Sequence, residues 1–242
     1  MPDRHFAVRR LAEVYDPLDP DRSDLEVYAA LVEELDAGSV VDVGCGTGTF
    51  ACMLAVRGID VIGVDPAEAS LDVARRKPGA ERVRWLAGDA TTLPPLQVDL
   101  VTMTANVAQV FLTDEDWMLT LRACRGALRP GGHLVFETRD PARRAWQEWT
   151  PMHSRAEADV PDIGRVESWV ELTDVRGELV SFRSTFTFAA DGAVHISDST
   201  LRFRSRKGVT ESLRAAGFTV EDVRDASDRP GRELVFVARR PG

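Results

Sequence analysis

The chain is poor in the residues that build disulfide and metal frameworks: of its 242 residues only three are cysteine and four are histidine. Cys45, Cys52 and Cys124 show no C-x-x-C spacing, which leaves zinc unsupported, and an odd count suits a reducing compartment better than a disulfide scaffold. No stretch of about 18 apolar residues occurs, and the opening Met-Pro-Asp-Arg-His-Phe-Ala-Val-Arg-Arg lacks the apolar run of a signal peptide. A cytoplasmic protein with no membrane partner is expected. Cations are short as well: 30 Lys and Arg against 39 Asp and Glu give a net charge of −9, a sign that discourages binding to phosphate backbones and so to nucleic acid. What is abundant is core-forming material, 44% hydrophobic against 29% charged, enough for one domain with an elaboration.

Strands and helices alternate along the first half. Val40-Val41-Asp42-Val43 ends in glycines and is followed by helical spacing from Phe50 to Val56; Val61-Ile62-Gly63-Val64 stops at Asp65-Pro66 before a helical run from Ala67 to Lys77. Val83 to Leu86, Leu100 to Met103 and His133 to Phe136 read as further strands, with a helix over Asp114 to Leu128. This order predicts an α/β fold whose mostly parallel sheet is covered on both faces. After Asp140 the period changes to two over Arg165 to Thr173, Glu178 to Phe188 and Val194 to Arg204, with a hairpin turn at Asp191-Gly192. Helical spacing returns at Val209 to Ala216, and two strands, Phe218 to Val223 and Glu233 to Ala238, flank a turn-prone Ser-Asp-Arg-Pro-Gly. Leu25 to Leu35 is expected to be helical with Ser23 as N-cap, behind a charged, proline-punctuated start. The organisation predicted is a helical cap over 1–36, a cofactor domain over 37–140 and 207–242, and an antiparallel insertion over 141–206 that serves as acceptor lid or dimer contact.

Between the first strand and its helix lies Asp42-Val43-Gly44-Cys45-Gly46-Thr47-Gly48. Glycines there allow a sharp turn and let a ligand approach bare amides at a helix N-terminus, although an ordinary tight turn uses the same residues. The spacing is G-x-G-x-G, not the G-x-G-x-x-G of dinucleotide folds, and no phosphate-binding lysine follows it. Asp65 ends the next strand, 65 − 44 = 21 residues after the first glycine, where a carboxylate accepts from both hydroxyls of a ribose or caps the helix at Ala67. Asp89, in Ala87-Gly88-Asp89-Ala90, follows the third strand, placed for the exocyclic amine of an adenine or for a solvated turn. Successive strand ends of a parallel sheet share one edge, and that edge is where such folds bind ligands, so a nucleoside-bearing cofactor is expected.

With these residues the sequence resembles the class I S-adenosylmethionine-dependent methyltransferases. The resemblance rests on the loop Asp42 to Gly48, on Asp65, on Gly88-Asp89-Ala90 and on Leu128-Arg129-Pro130-Gly131-Gly132-His133-Leu134, a turn entering the fifth strand. It implies a Rossmann-like, doubly wound, seven-stranded sheet with an antiparallel insertion between strand 5 and the last helix, as in aminosugar N-methyltransferases. It further implies S-adenosylmethionine as cofactor: Asp42, Gly44, Cys45, Gly46, Thr47 and Gly48 around its methionine part, Asp65 with Pro66 at the ribose, Gly88, Asp89 and Ala90 at the adenine, and Thr104 and Asn106 beyond the fourth strand. The Asn/Asp-Pro-Pro-Tyr motif of nucleic-acid amino-methylating enzymes is replaced by Thr102-Met103-Thr104-Ala105-Asn106-Val107, and a Pro-Cys nucleophile is lacking.

A methyltransferase acting on a small organic acceptor is therefore expected, with O-, N- and C-methylation all open. A cofactor-binding regulator and a nicotinamide-dependent oxidoreductase are the alternatives, and a homodimer is compatible with the pattern. Glu137 and Arg139 run off the fifth strand toward the cofactor edge, to grip or deprotonate the acceptor or simply to pair with each other. His153 and His195 lie in the insertion as candidate bases or as solvated residues, His133 as a structural residue, and His5 in a segment expected to face solvent. Tyr15, Tyr28, Asn106 and Arg183 are candidate acceptor contacts, Arg202 and Arg204 candidate anion attractors, and Trp146, Trp149 and Trp169 a candidate aromatic wall.

Overall fold

A computed structural model describes residues 2–226 and 230–242, so Ser227, Asp228 and Arg229, which open the expected Ser-Asp-Arg-Pro-Gly turn, lie outside the described residues. Helices α1 (Arg4–Ala7), α2 (Arg9–Leu18) and α3 (Asp24–Glu34) precede the sheet. Then come β1 (Ser39–Val43), α4 (Thr49–Val56), β2 (Asp60–Asp65), α5 (Glu68–Ala74), β3 (Val83–Ala87), β4 (Val98–Met103), α6 (Asp114–Ala127) and β5 (Leu128–Arg139). Helix α7 (Pro151–Ser154) leads into β6 (Ala156–Val160), β7 (Gly164–Arg176), β8 (Leu179–Phe188) and β9 (Val194–Arg202); α8 (Arg206–Ala215), β10 (Thr219–Asp225) and β11 (Glu233–Arg239) close the chain.

The main sheet has seven strands in the order β10-β11-β5-β4-β1-β2-β3, parallel except where β11 runs against both β5 and β10. Its order reverses between β1 and β4, which puts the loop after β1 at a topological switch point. Alternation along each strand explains why both faces are covered. In β1, Val41 and Val43 join a core with Trp117 and Leu121 of α6 and Leu213 of α8, whereas Val40 joins a second core with Leu25 of α3 and Phe50 and Leu54 of α4. The expected α/β, doubly wound fold with an antiparallel insertion is the fold observed.

The insertion forms a separate antiparallel sheet, β6-β7-β8-β9. Its strand β6 goes beyond the three strands expected: Ala156-Glu157-Ala158-Asp159-Val160 is made of residues with little β preference, and its pairing with β7 supplies the order. A third core packs Leu11 and Val14 of α2 against Val166, Phe186 and Phe188 of this sheet, so the charged N-terminal segment is helical and docked. His5 corrects the expectation of solvent: its ring packs on Phe6, Tyr15 and Phe186, its amide donates to Ser197 Oγ at 3.0 Å, and burial lowers its pKa to about 4. Ser23 occupies the N-cap position of α3 with no side-chain capping bond, and α5 stops at Ala74 before the cations expected to end it. The segment 128–132 belongs to β5, bulging between the pairs Val98↔Leu128 and Leu100↔His133. Among the described residues no helix is long and apolar enough to cross a membrane, and no three His, Cys, Asp or Glu cluster as metal ligands.

Candidate functional site

The carboxyl ends of β1 to β5 gather the predicted loops on one edge of the sheet. Gly44 and Cys45 both donate their amides to Val64 O, at 2.8 and 3.2 Å, pinning the glycine loop to β2. Asp65, nearly buried, ties the same loop together: Oδ2 accepts from the Gly46 amide and Oδ1 from the Ala67 amide, each at 2.8 Å. The bond to Ala67 is the local capping role expected of Asp65, and each carboxylate oxygen keeps a second lone pair. Burial raises its pKa against the pull of those two amides. Asp42, also buried, accepts from Thr102 Oγ1 at 2.9 Å, while its Oδ2 has no hydrogen-bond partner among the described residues. Its pKa is pushed up to about 7, mainly by burial and also by the neighbouring Asp65 charge.

At the other positions the local work is visible. Asp89 caps the turn that follows it, accepting at Oδ1 from the Thr91 amide and hydroxyl at 2.8 and 2.6 Å, and Ala90 turns its methyl into the core. Pro66 is exposed, and Thr104 is buried just past β4. Thr47, in the loop, donates to Asp16 Oδ1 of α2 at 2.8 Å, and Asp16 Oδ2 lies 2.7 Å from Lys77 Nζ. Lys77 in turn donates to the hydroxyls of Thr47 and Thr49 at 3.2 and 2.5 Å.

Beside this loop cluster is a cavity of about 120 Å³. Helix α2 contributes Tyr15, the following link Asp19 and Arg22, and α3 Asp24 and Tyr28; Ala105 and Asn106 follow β4, Glu137 and Arg139 end β5, and β11 begins with Glu233. Tyr15, Tyr28, Asn106, Glu137 and Arg139 are therefore brought together as the sequence suggested. Glu137 and Arg139 do not pair with each other. Glu137 Oε1 accepts from the Asn106 amide at 2.5 Å, and Arg139 donates to Gln109 Oε1 at 3.0 Å and lies 3.9 Å from Glu233. Burial pushes Glu137 up to about 7; the Asn106 amide and Tyr28 hydroxyl pull it down and the Glu233 charge raises it.

The remaining candidates stand elsewhere. Arg183 forms a two-pronged pair with Asp198 at 2.7 and 2.9 Å on the exposed face of the second sheet, away from the cavity, which corrects its assignment as an acceptor contact. His153 is exposed and bonded to Thr150 Oγ1 at 2.9 Å, His195 packs edge-on against Phe188, and His133 bonds to Glu221 at 3.0 Å; none lines the cavity. Arg202 and Arg204 fasten the insertion to the start of α6, through Leu112 O, Thr113 O and Asp114, instead of facing an anion. Trp146 and Trp149 pack on Phe203 and Phe182, whereas Trp169 bonds to Glu171. Sequence reading missed Asp16, Asp19, Arg22, Asp24, Gln109 and Glu233. Of these only Glu233 carried a signal, an acid opening an otherwise apolar strand.

Residues 40–132 match a family described as a methyltransferase domain. Over that stretch, somewhat under two fifths of its length, the chain is similar to that family. It is 35% identical over 109 residues, 45% of this chain, to the cypemycin N-terminal methyltransferase of a Streptomyces species, and 36% over 105 residues, 41% of this chain, to a ubiquinone biosynthesis O-methyltransferase of Acinetobacter baylyi. These matches take in only 44% and 42% of the two relatives' length. In fold the chain resembles Streptomyces venezuelae DesVI, at TM-score 0.75 and 22% identity over 96% of this chain and 98% of that one. It also resembles CalS10 with S-adenosylmethionine bound, an amino pentose methyltransferase from Micromonospora echinaspora, at TM-score 0.68 and 22% identity over 91% and 93% of the two chains. The architecture is the class I methyltransferase fold.

Proposed function

We propose that the chain transfers the methyl group of S-adenosylmethionine to a small organic acceptor, with the cofactor at the glycine loop and the acceptor in the cavity beside it. The observation that carries this reading is an edge with room and unused polarity. A Cβ on Gly46 would meet nothing within 4 Å, and Asp42 Oδ2 is buried beneath the loop without a partner among the described residues. Amides and a buried acid fit a zwitterionic amino-acid moiety, and Asp65 has lone pairs left for ribose hydroxyls. The cofactor would supply a methyl group on cationic sulfur, open to in-line displacement by an acceptor lone pair.

The protein's part is to hold, orient and exclude water, and orientation alone is worth about 7–11 kcal/mol in well-placed reactants. Tyr15 and Asp16 are neighbours on α2, one facing the cavity and the other bonded to the glycine loop, so one helix closes over both compartments. The insertion braces α2 from the far side through Val166, Phe186 and Phe188, which supports its reading as an acceptor lid. The cavity wall presents Asp19, Asp24, Glu137 and Glu233 against Arg22 and Arg139, with Arg22 3.3 Å from Asp24. That balance favours an amine acceptor over an anionic one, in keeping with the amino pentose methyltransferase among the similar structures. Titration with S-adenosylhomocysteine tests the reading at its base: saturable binding supports it, and no binding at millimolar ligand contradicts it.

A further inference from the structure

We infer that Asn106 and Glu137 form a two-acceptor clamp that grips the nucleophilic group of the acceptor by its N–H or O–H bonds, with Glu137 receiving the proton released on methylation. The inference rests on the methyltransferase reading above and assigns residues within its acceptor cavity.

The backbone at this point is unusual. Ala105 and Asn106 are consecutive non-glycine residues in the left-handed region, at φ 57° and 62°, a conformation that persists only where surrounding contacts impose it. Among those contacts, the Asn106 amide donates to Glu137 Oε1 at 2.5 Å, Nδ2 donates to Glu233 Oε1 at 3.0 Å, and the carbonyl accepts from the Gln109 amide at 2.9 Å. The Nδ2 bond to Glu233 fixes the amide orientation, because only the NH₂ end can face a carboxylate. Asn106 Oδ1 is thereby turned away from Glu233.

Both remaining acceptors are left open. Asn106 Oδ1 and Glu137 Oε2 are buried acceptors on side chains 4% and 2% exposed that line the same cavity; neither atom has a partner at hydrogen-bond distance among the described residues, although the Tyr28 hydroxyl stands close enough to Glu137 to favour its charged form. Buried acceptors without partners are rare and unfavourable, and a donor-bearing ligand removes the deficit. The unpaired buried donor nearby, Gln109 Nε2, belongs to a residue outside the cavity wall whose Oε1 is taken by Arg139. In the transfer the X–H bond of the acceptor breaks and its electron pair stays on X. The proton passes to Glu137 Oε2, X gains its bond to carbon, and the sulfur keeps the electrons of the broken C–S bond. Burial sets Glu137 at about 7, suited to taking and releasing a proton near neutrality.

The test uses the full chain with ¹³C-labelled glutamate carboxyls, with and without saturating S-adenosylhomocysteine, and the Glu137 resonance assigned through Glu137→Gln. Methylammonium, ethylene glycol and tetramethylammonium serve as probes carrying N–H donors, O–H donors and no donors. The expected result is a saturable shift of the Glu137 resonance with methylammonium or ethylene glycol, whichever matches the nucleophile, and none with tetramethylammonium. Asn106→Gly keeps the left-handed backbone and removes only the side chain; it and Glu137→Gln should each weaken the probe at least tenfold, with the Glu137→Gln chain still stabilised by S-adenosylhomocysteine. A response equal for all three probes, no response to any, or full probe binding in both variants overturns the clamp. Loss of the S-adenosylhomocysteine effect in the wild-type chain instead overturns the methyltransferase reading.

Discussion

Gly44 and Gly46 sit two residues apart in one loop for different reasons. A Cβ on Gly44 would lie 2.6 Å from Val107 Cγ2, whereas one on Gly46 would enter open space, with both backbones left-handed at φ 71° and 53°. Gly44→Ala should therefore cost stability through both strain and collision, about 2–4 kcal/mol by chemical denaturation. Gly46→Ala should cost only about 1–2 kcal/mol yet weaken S-adenosylhomocysteine binding at least tenfold, because its methyl occupies the cofactor's space. Equal binding by Gly46→Ala and wild type would contradict the placement. The buried acids give a pH signature. Asp42 and Glu137 are both held near 7, above their unfolded values, so the folded state binds the extra protons between the usual carboxylate range and 7. Their contribution to stability is full below the unfolded pKa, falls as pH rises toward 7 and levels off above it. Melting curves should show Glu137→Gln gaining on wild type as pH goes from 5 to 8; a gain in the opposite direction would contradict the burial argument.

At the scale of elements, α2 is the part least legible in the sequence and most consequential for the site. Its spacing of Val8, Leu11, Val14 and Leu18 is helical, but charges and Pro17 masked it, and nothing local announced that Asp16 would meet Thr47, Thr49 and Lys77 across 31 to 61 residues of chain. The strands of the parallel sheet were readable because burial on both faces leaves apolar runs bounded by glycine and acid. Strand β6 was not, since its order comes from pairing instead of composition. Asp16→Asn should loosen the α2 contact with Lys77 while keeping its size. Hydrogen exchange of amides 9–18 should quicken about three- to tenfold, in line with the loss of a part-buried ion pair of order 1 kcal/mol. Unchanged exchange would show that the packing of Leu11 and Val14 alone holds the helix.

For the whole molecule, the sequence carried the layer order and the gathering of the glycine loop, Asp65 and Asp89 on one edge, because the residues that make them are neighbours along the chain. The cavity beside that edge was only half legible. Glu137, Arg139, Asn106, Tyr15 and Tyr28 were placed by strand ends and by their position ahead of the sheet, but Glu233 reaches them only through the antiparallel return of β11. Arg183, His153 and His195 were misplaced because the packing of one sheet on another domain is not written in the alternation of either. The central claim is that the edge built by the glycine loop and Asp65 binds S-adenosylmethionine and its product. The most direct measurement is the melting temperature of the full chain and of Asp65→Ala with S-adenosylhomocysteine at about 100 times its dissociation constant, where binding contributes about 2.7 kcal/mol. The account predicts a rise of roughly 5–10 °C for a chain of this length, lost in a folded Asp65→Ala. No rise in the wild-type chain at millimolar ligand, or an undiminished rise in the variant, would contradict it.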